Sequence, residues 1–268
     1  MRIDEYLQHD ATGLAALVAN GEVTAHELLD LALERASATD DTIAAVVHVQ
    51  EEAARRSIDA GLPEGPFRGV PFLLKDLGCE AIDFPSSQGS SLFADTRYSY
   101  DSEIYLRMRA TGLVTFGRTA APEGGVGPTT EAQVYGRATR NPWDPSRVCG
   151  GSSGGAGAAV AAGVTPIAHG SDGGGSVRIP ASNNGLFGMK ATRALFPDGP
   201  ASGEGWAGMA IDGFFTRTVR DQAAFFDACA GPDTGVPYYA PRYAPPSGTY
   251  VEAIARPPRR LRVAMSTT

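Results

Sequence analysis

Two serines sit in separate glycine clusters: Ser152 in Gly150-Gly151-Ser152-Ser153-Gly154-Gly155, and Ser176 at the end of Ser171-Asp172-Gly173-Gly174-Gly175-Ser176. Glycine loses more conformational entropy on folding than any other residue, so dense clusters imply either flexibility or a bare backbone close to a ligand. A flexible linker would not run on into Val177-Arg178-Ile179-Pro180 and Leu186-Phe187. A site lined by backbone N–H donors is the better reading. Upstream, Gly69-Val70-Pro71-Phe72-Leu73-Leu74 is an apolar run that ends in Lys75-Asp76. Of 23 basic residues only Lys75 and Lys190 are lysine. A buried lysine can give up its charge and act as a base, which arginine cannot. The genome's base composition could also favour arginine, and Lys75-Asp76 taken alone reads equally well as a surface ion pair.

Three chemistries compete for the serines. Gly150-Gly151-Ser152-Ser153-Gly154 matches a nucleophile elbow, but an elbow needs a strand before it and Asp/Glu then His after it. The approach Trp143-Asp144-Pro145-Ser146-Arg147 is a poor strand, and His169, the lone histidine after Ser152, follows too closely. A nucleotide-phosphate loop lacks its Gly-Lys-[Ser/Thr], and the dinucleotide fingerprint is missing. The third reading joins both serines to Lys75. Cleaving an amide takes a nucleophile, donors for the oxyanion and an acid for the leaving amine. Ser176 can attack while neighbouring N–H groups face the carbonyl oxygen, with Ser152 relaying the proton to a neutral Lys75. No histidine is needed.

The surrounding pattern must hold these groups in place. Asp10 can cap a helix over residues 11–20, and Thr24-Ala25-His26-Glu27 forms a capping box before an apolar stripe. A strand is expected over 43–49, a helix over 51–60 and a buried strand over 69–74. Residues 85–91 read as a loop, 101–112 as a helix and 113–116 as a strand. The small-residue run 157–163 suits a tightly packed helix. Further on, a strand over 214–219, a helix over 221–229 capped by Asp221, and a final strand over 261–265 are expected. Alternating short strands and helices indicate an α/β fold. His9, His26 and His48 carry no evident chemistry.

The 268 residues can bury a full core as one large domain or two small ones. A net charge of -7 and a pI of about 5.1 argue against nucleic acid as a partner. No apolar run is long enough for a membrane span, and the N-terminus lacks a signal-peptide core. Three widely spaced cysteines make neither a disulfide framework nor a zinc site. A cytoplasmic protein without metal or cofactor is expected.

Gly69-Val70-Pro71 leading to Lys75-Asp76, then Asn141-Pro142-Trp143, the two serine clusters, and Gly188-Met189-Lys190 together resemble the amidase signature family. The serines lie 24 positions apart, as in that family. The resemblance covers residues 14–263, with its motifs concentrated between 69 and 190. It implies that Ser176 is the acylated nucleophile, that Ser152 is a bridging serine preceded by a cis peptide bond, and that Lys75 is the general base. It further implies an oxyanion hole from the N–H groups of Gly173, Gly174, Gly175 and Ser176, with Ser153, Asp172 and Arg178 as loop support. The implied fold is a mixed β-sheet sandwiched by helices. Residues 1–268 would be the N-terminal portion of one such domain, with 237–258 a Pro/Tyr-rich surface stretch within it.

Two departures stand out. Position 173 is often larger in the family, so glycine here is expected to leave the oxyanion loop freer. Members also usually continue well beyond the length of this chain, which implies a missing C-terminal segment or second chain; a stable monomer with cooperative unfolding would defeat that idea. The pattern around Lys75, His169-Gly170 and 176–180 looks most like bacterial amidases that include 6-aminohexanoate-cyclic-dimer hydrolases, with aryl-acylamidases and urethanases related. The implied substrate is a small or oligomeric amide, an aryl amide or a carbamate, with a homodimer left open. An amidotransferase subunit releasing ammonia from glutamine, or a non-catalytic binding protein on the same fold, are the alternatives.

Overall fold

The computed structural model describes residues 1–240 and 248–265. After a short α1 (Ile3–Tyr6), the Asp10 carboxylate accepts the Gly13 N–H and starts α2 (Ala11–Ala19). The Thr24 hydroxyl and the Glu27 carboxylate close the expected capping box at the head of α3 (Ala25–Ile43). That helix runs on to Ile43, where Ala44 takes a left-handed conformation, so the strand expected from 43 is shorter: β1 (Val46–Val49). Then follow α4 (Glu51–Asp59), β2 (Pro71–Lys75), α5 (Glu103–Ala110) and β3 (Val114–Thr119). The small-residue helix α6 spans Gly154–Ala161, beginning in the glycine cluster itself. Next come β4 (Ile167–Asp172), α7 (Arg178–Asn184), β5 (Phe187–Gly188), β6 (Ile211–Thr216), α8 (Val219–Cys229) and α9 (Tyr250–Ile254).

Three expectations are corrected. The glycine and polar residues of His169-Gly170-Ser171-Asp172 disguise β4, which was not anticipated. The N-cap of α8 is Thr218, whose hydroxyl accepts the Asp221 N–H; the Asp221 carboxylate instead accepts the N–H groups of Ala11 and Thr12 at the start of α2. Leu261, Val263 and Met265 alternate like a strand, but with no ladder partner among the described residues they are irregular and exposed. Of the Pro/Tyr-rich stretch, 241–247 lie outside the described residues. Within it α9 docks Tyr250 edge-on against Phe226.

The strands form one sheet in the order β1-β3-β2-β4-β6-β5. β3, β2 and β4 run parallel in the centre, while β1, β6 and β5 join antiparallel. Central parallel strands covered on both faces read as continuous apolar runs, as β2 does. Alternate residues then point to opposite layers. Phe72, Leu74, Ile167 and Phe214 enter one core with α2, α5 and α8. Leu73, Ala168 and Phe215 enter the other with α6 and α7. This is the expected helix-sandwiched mixed sheet. No helix among the described residues is long and apolar enough to cross a membrane.

Candidate active site

Lys75 stands at the end of β2 and is fully buried. Its Nζ donates to the Ser152 hydroxyl (2.7 Å) and the Ser171 hydroxyl (3.0 Å). Its backbone N–H donates to Nδ1 of His169, and its carbonyl accepts from Arg118. Burial pushes the amine down from 10.5 to about 7, with the Asp212 and Asp172 charges pulling the other way. The surface ion-pair alternative for Lys75-Asp76 is therefore excluded. Asp76 turns instead to Ser87 and the Tyr135 hydroxyl.

Ser152 lies between a cis Gly151–Ser152 peptide bond and α6. Residues 142–151 form no strand, so the elbow arrangement is missing. Ser153 ties the two glycine loops together: its hydroxyl accepts the Ser171 N–H and donates to the Ser171 carbonyl, and its own N–H donates to the Ser176 carbonyl. Asp172 gathers the N–H groups of Gly175, Val177 and Arg178, and pairs through both oxygens with the Arg178 guanidinium. Burial would raise this carboxyl, but Arg178 and the three N–H groups outweigh it and hold it at about 2. Glycine is required at 175, where φ is 124° and an added Cβ would sit 2.8 Å from the Ile179 side chain.

Two details differ from expectation. Asp172 takes the Gly175 N–H, so of the four expected donors those of Gly173, Gly174 and Ser176 belong to residues that line the cavity and that of Gly175 does not. Gly173 is also not in open space, since an added Cβ would lie 3.0 Å from the Trp206 ring. The aromatic fills the room a larger residue would take.

Ser152, Ser171, Gly173, Gly174 and Ser176 line one cavity of about 380 Å³. Ser176 is half-buried, and its hydroxyl makes no hydrogen bond among the described residues. The Lys75–Ser152 link is thus made, whereas Ser152 and Ser176 share the cavity without a hydrogen bond between them. Glu80, Asp198 and Asp212 also line it. Burial, followed by the charges of Asp212 and Glu80, pushes Asp198 up to about 6. Among the described residues no three His, Cys, Asp or Glu side chains converge as metal ligands. Sequence reasoning missed Ser171, His169, Asp212 and Trp206. Ser171 and His169 lie within stretches already singled out; Asp212 and Trp206 gave no local signal.

A family model described as Amidase matches residues 27–268. The chain is 43% identical over 265 residues to the 6-aminohexanoate-cyclic-dimer hydrolase of Paenarthrobacter ureafaciens, covering 97% of this chain and 52% of that protein. It is 38% identical over 264 residues to an acylamidase of Rhodococcus erythropolis, covering 96% of this chain and 54% of the relative. Its fold is similar to the structure of 6-aminohexanoate cyclic dimer hydrolase complexed with substrate, with a TM-score of 0.89 and 41% identity over 96% of this chain and 53% of that one. The chain spans about half the length of the curated relatives it matches.

Proposed function

The chain belongs to the amidase family, and from that premise we propose that it hydrolyses carboxamide C–N bonds through a Ser176 acyl-enzyme, with Ser152 as proton bridge and Lys75 as general base. The observation that carries this reading is the fully buried Lys75 amine, held 2.7 Å from the Ser152 hydroxyl. An amine near pH 7 in its proton equilibrium is matched to base catalysis at neutral pH. The Ser176 oxygen bonds to the carbonyl carbon as its proton passes to Ser152 and the Ser152 proton passes to Lys75. The N–H groups of Gly173, Gly174 and Ser176 receive the developing oxyanion. Collapse expels the amine, which takes the proton back along the same path. Water then attacks the ester by the same relay, releasing the carboxylic acid and free Ser176. Ser153, Asp172 and Arg178 support the loop, because their bonds tie its turns to one another.

The relatives' names favour a small or oligomeric amide; we propose aryl amides and carbamates as further substrates because their carbonyl carbons accept the same serine attack. The three free, buried cysteines suit a reducing, cytoplasmic setting. A fluorophosphonate probe with intact mass and peptide mapping tests the assignment. Label on Ser176 that is lost in Lys75→Ala is expected. Label on Ser152 instead would overturn the assignment of the nucleophile.

A further inference from the structure

The face of the sheet beside Lys75 carries a second, unassigned polar pair. In the antiparallel ladder of β4 and β6, Ser171 lies directly opposite Asp212, and His169 opposite Phe214. Residues opposite one another, and residues two apart, share a face of the sheet. His169, Ser171 and Asp212 therefore present their side chains together. Ser171 accepts from the Lys75 amine, and His169 Nδ1 accepts the Lys75 backbone N–H at 3.2 Å. A backbone N–H can only donate, so Nδ1 carries no proton and the ring proton sits on Nε2. That nitrogen lies 2.8 Å from the Asp212 carboxylate, to which it donates. These two bonds place the single ring proton on Nε2 and make the Asp212 carboxylate its acceptor.

We infer that His169 and Asp212 are a positioning pair for Lys75: His169 fixes the Asp212 carboxylate on the cavity wall opposite Ser171, giving the ammonium formed during acylation a counter-charge. The inference rests on the amidase reading above and deepens it. The other charged groups around Lys75 are committed elsewhere, or line the cavity without acting on its amine as Asp212 and Asp172 do. From β4, Asp172 is paired with Arg178. From β3, Arg118 spends its guanidinium on the carbonyls of Lys75, Gly78, Cys79 and Phe84. Asp76, next in the chain, is satisfied by Ser87 and Tyr135, with His48 at 3.6 Å. Glu80 and Asp198 line the same cavity. Asp212 has no arginine or lysine partner among the described residues, where its one contact of this kind is the His169 ring. An unneutralised carboxylate beside a dehydrated amine favours the ammonium form and so offsets part of the cost of burial.

The chain's two lysines make a direct test practicable. Protein labelled with 13C-lysine gives two side-chain resonances, and Lys190→Arg identifies the one from Lys75. The wild-type midpoint should lie near 7, and Asp212→Asn, which keeps the shape, should lower it by about one pH unit. His169→Asn keeps an acceptor for the Lys75 N–H but cannot reach Asp212, so it should move the midpoint the same way by less. The rate of Ser176 phosphonylation between pH 5 and 9, measured alongside, should show its acidic limb moving down with the midpoint and its plateau falling. A loss of stability alone would leave the midpoint in place. An unmoved midpoint in folded Asp212→Asn overturns the positioning role; if that variant does not fold, an unmoved midpoint in His169→Asn does so. Absence of Ser176 labelling in the wild type would overturn the amidase reading, and the role in acylation with it.

Discussion

A lysine at the end of a fully apolar strand loses its hydration on folding, and the charged form suffers most. Lys75 is driven to about 7 for that reason, against the pull of Asp212 and Asp172. The direction sets the pH dependence. The base proposed above must be neutral to act, so acylation of Ser176 should rise with pH through about 7 and flatten above it. Arginine stays protonated over this whole range. Lys75→Arg should therefore lose as much as Lys75→Ala, about 10²–10⁴-fold in the plateau rate. A Lys75→Arg variant that kept most of its activity would reduce the lysine to a structural cation.

The element that brings Ser152 to Lys75 is α6, and its composition follows from how closely it packs. Gly155 donates its N–H to the Ala120 carbonyl just beyond β3, and an added Cβ there would lie 2.4 Å from the Ala120 nitrogen and 2.9 Å from the Ala45 carbonyl oxygen. Backbone cannot move aside as a flexible side chain can, so the helix must be built of glycine and alanine where it touches the sheet. Gly155→Ala should cost about 1–3 kcal/mol in denaturant unfolding, and it should slow Ser176 labelling by displacing Ser152. An unchanged midpoint with unchanged labelling would show that the helix has room the geometry denies it.

Across the whole molecule, the first and last long helices of the described fold cap one another. Asp221 on α8 accepts from Ala11 and Thr12 at the start of α2. Asp10, in return, accepts from Thr218 and the Arg220 guanidinium at the start of α8. Two N–H groups would lose their partner in Asp221→Ala, at a cost of about 1–3 kcal/mol in thermal or denaturant unfolding. Burial raises the Asp10 carboxyl, but Arg220, the Gly13 N–H and Thr218 outweigh it and bring it to about 2. Its folded value is below the unfolded one, so its contribution holds above about pH 4 and is lost as pH falls through about 2. A clasp between segments some 210 positions apart ties the ends of the fold together over the core that holds β2 in place.

The local chemistry was legible because it is written in contiguous residues. Glycine clusters around each serine, an apolar strand ending in lysine, and capping residues before α2 and α3 each constrain the backbone within a few positions. The α/β class follows from the alternation of short strands and helices, and the helix-sandwiched mixed sheet from the resemblance to the amidase signature family. What the sequence alone could not decide is which distant side chains meet. Asp212 reaches the site through the antiparallel register of β4 and β6, because a shift of one residue would turn it to the opposite face. Trp206 covers Gly173, the Gly175 N–H goes to Asp172 rather than outward, and Asp221 caps a helix other than its own. Motifs along the chain, and the family resemblance they carry, named the candidate groups. Strand register and packing across the sheet decided which charges and walls surround them.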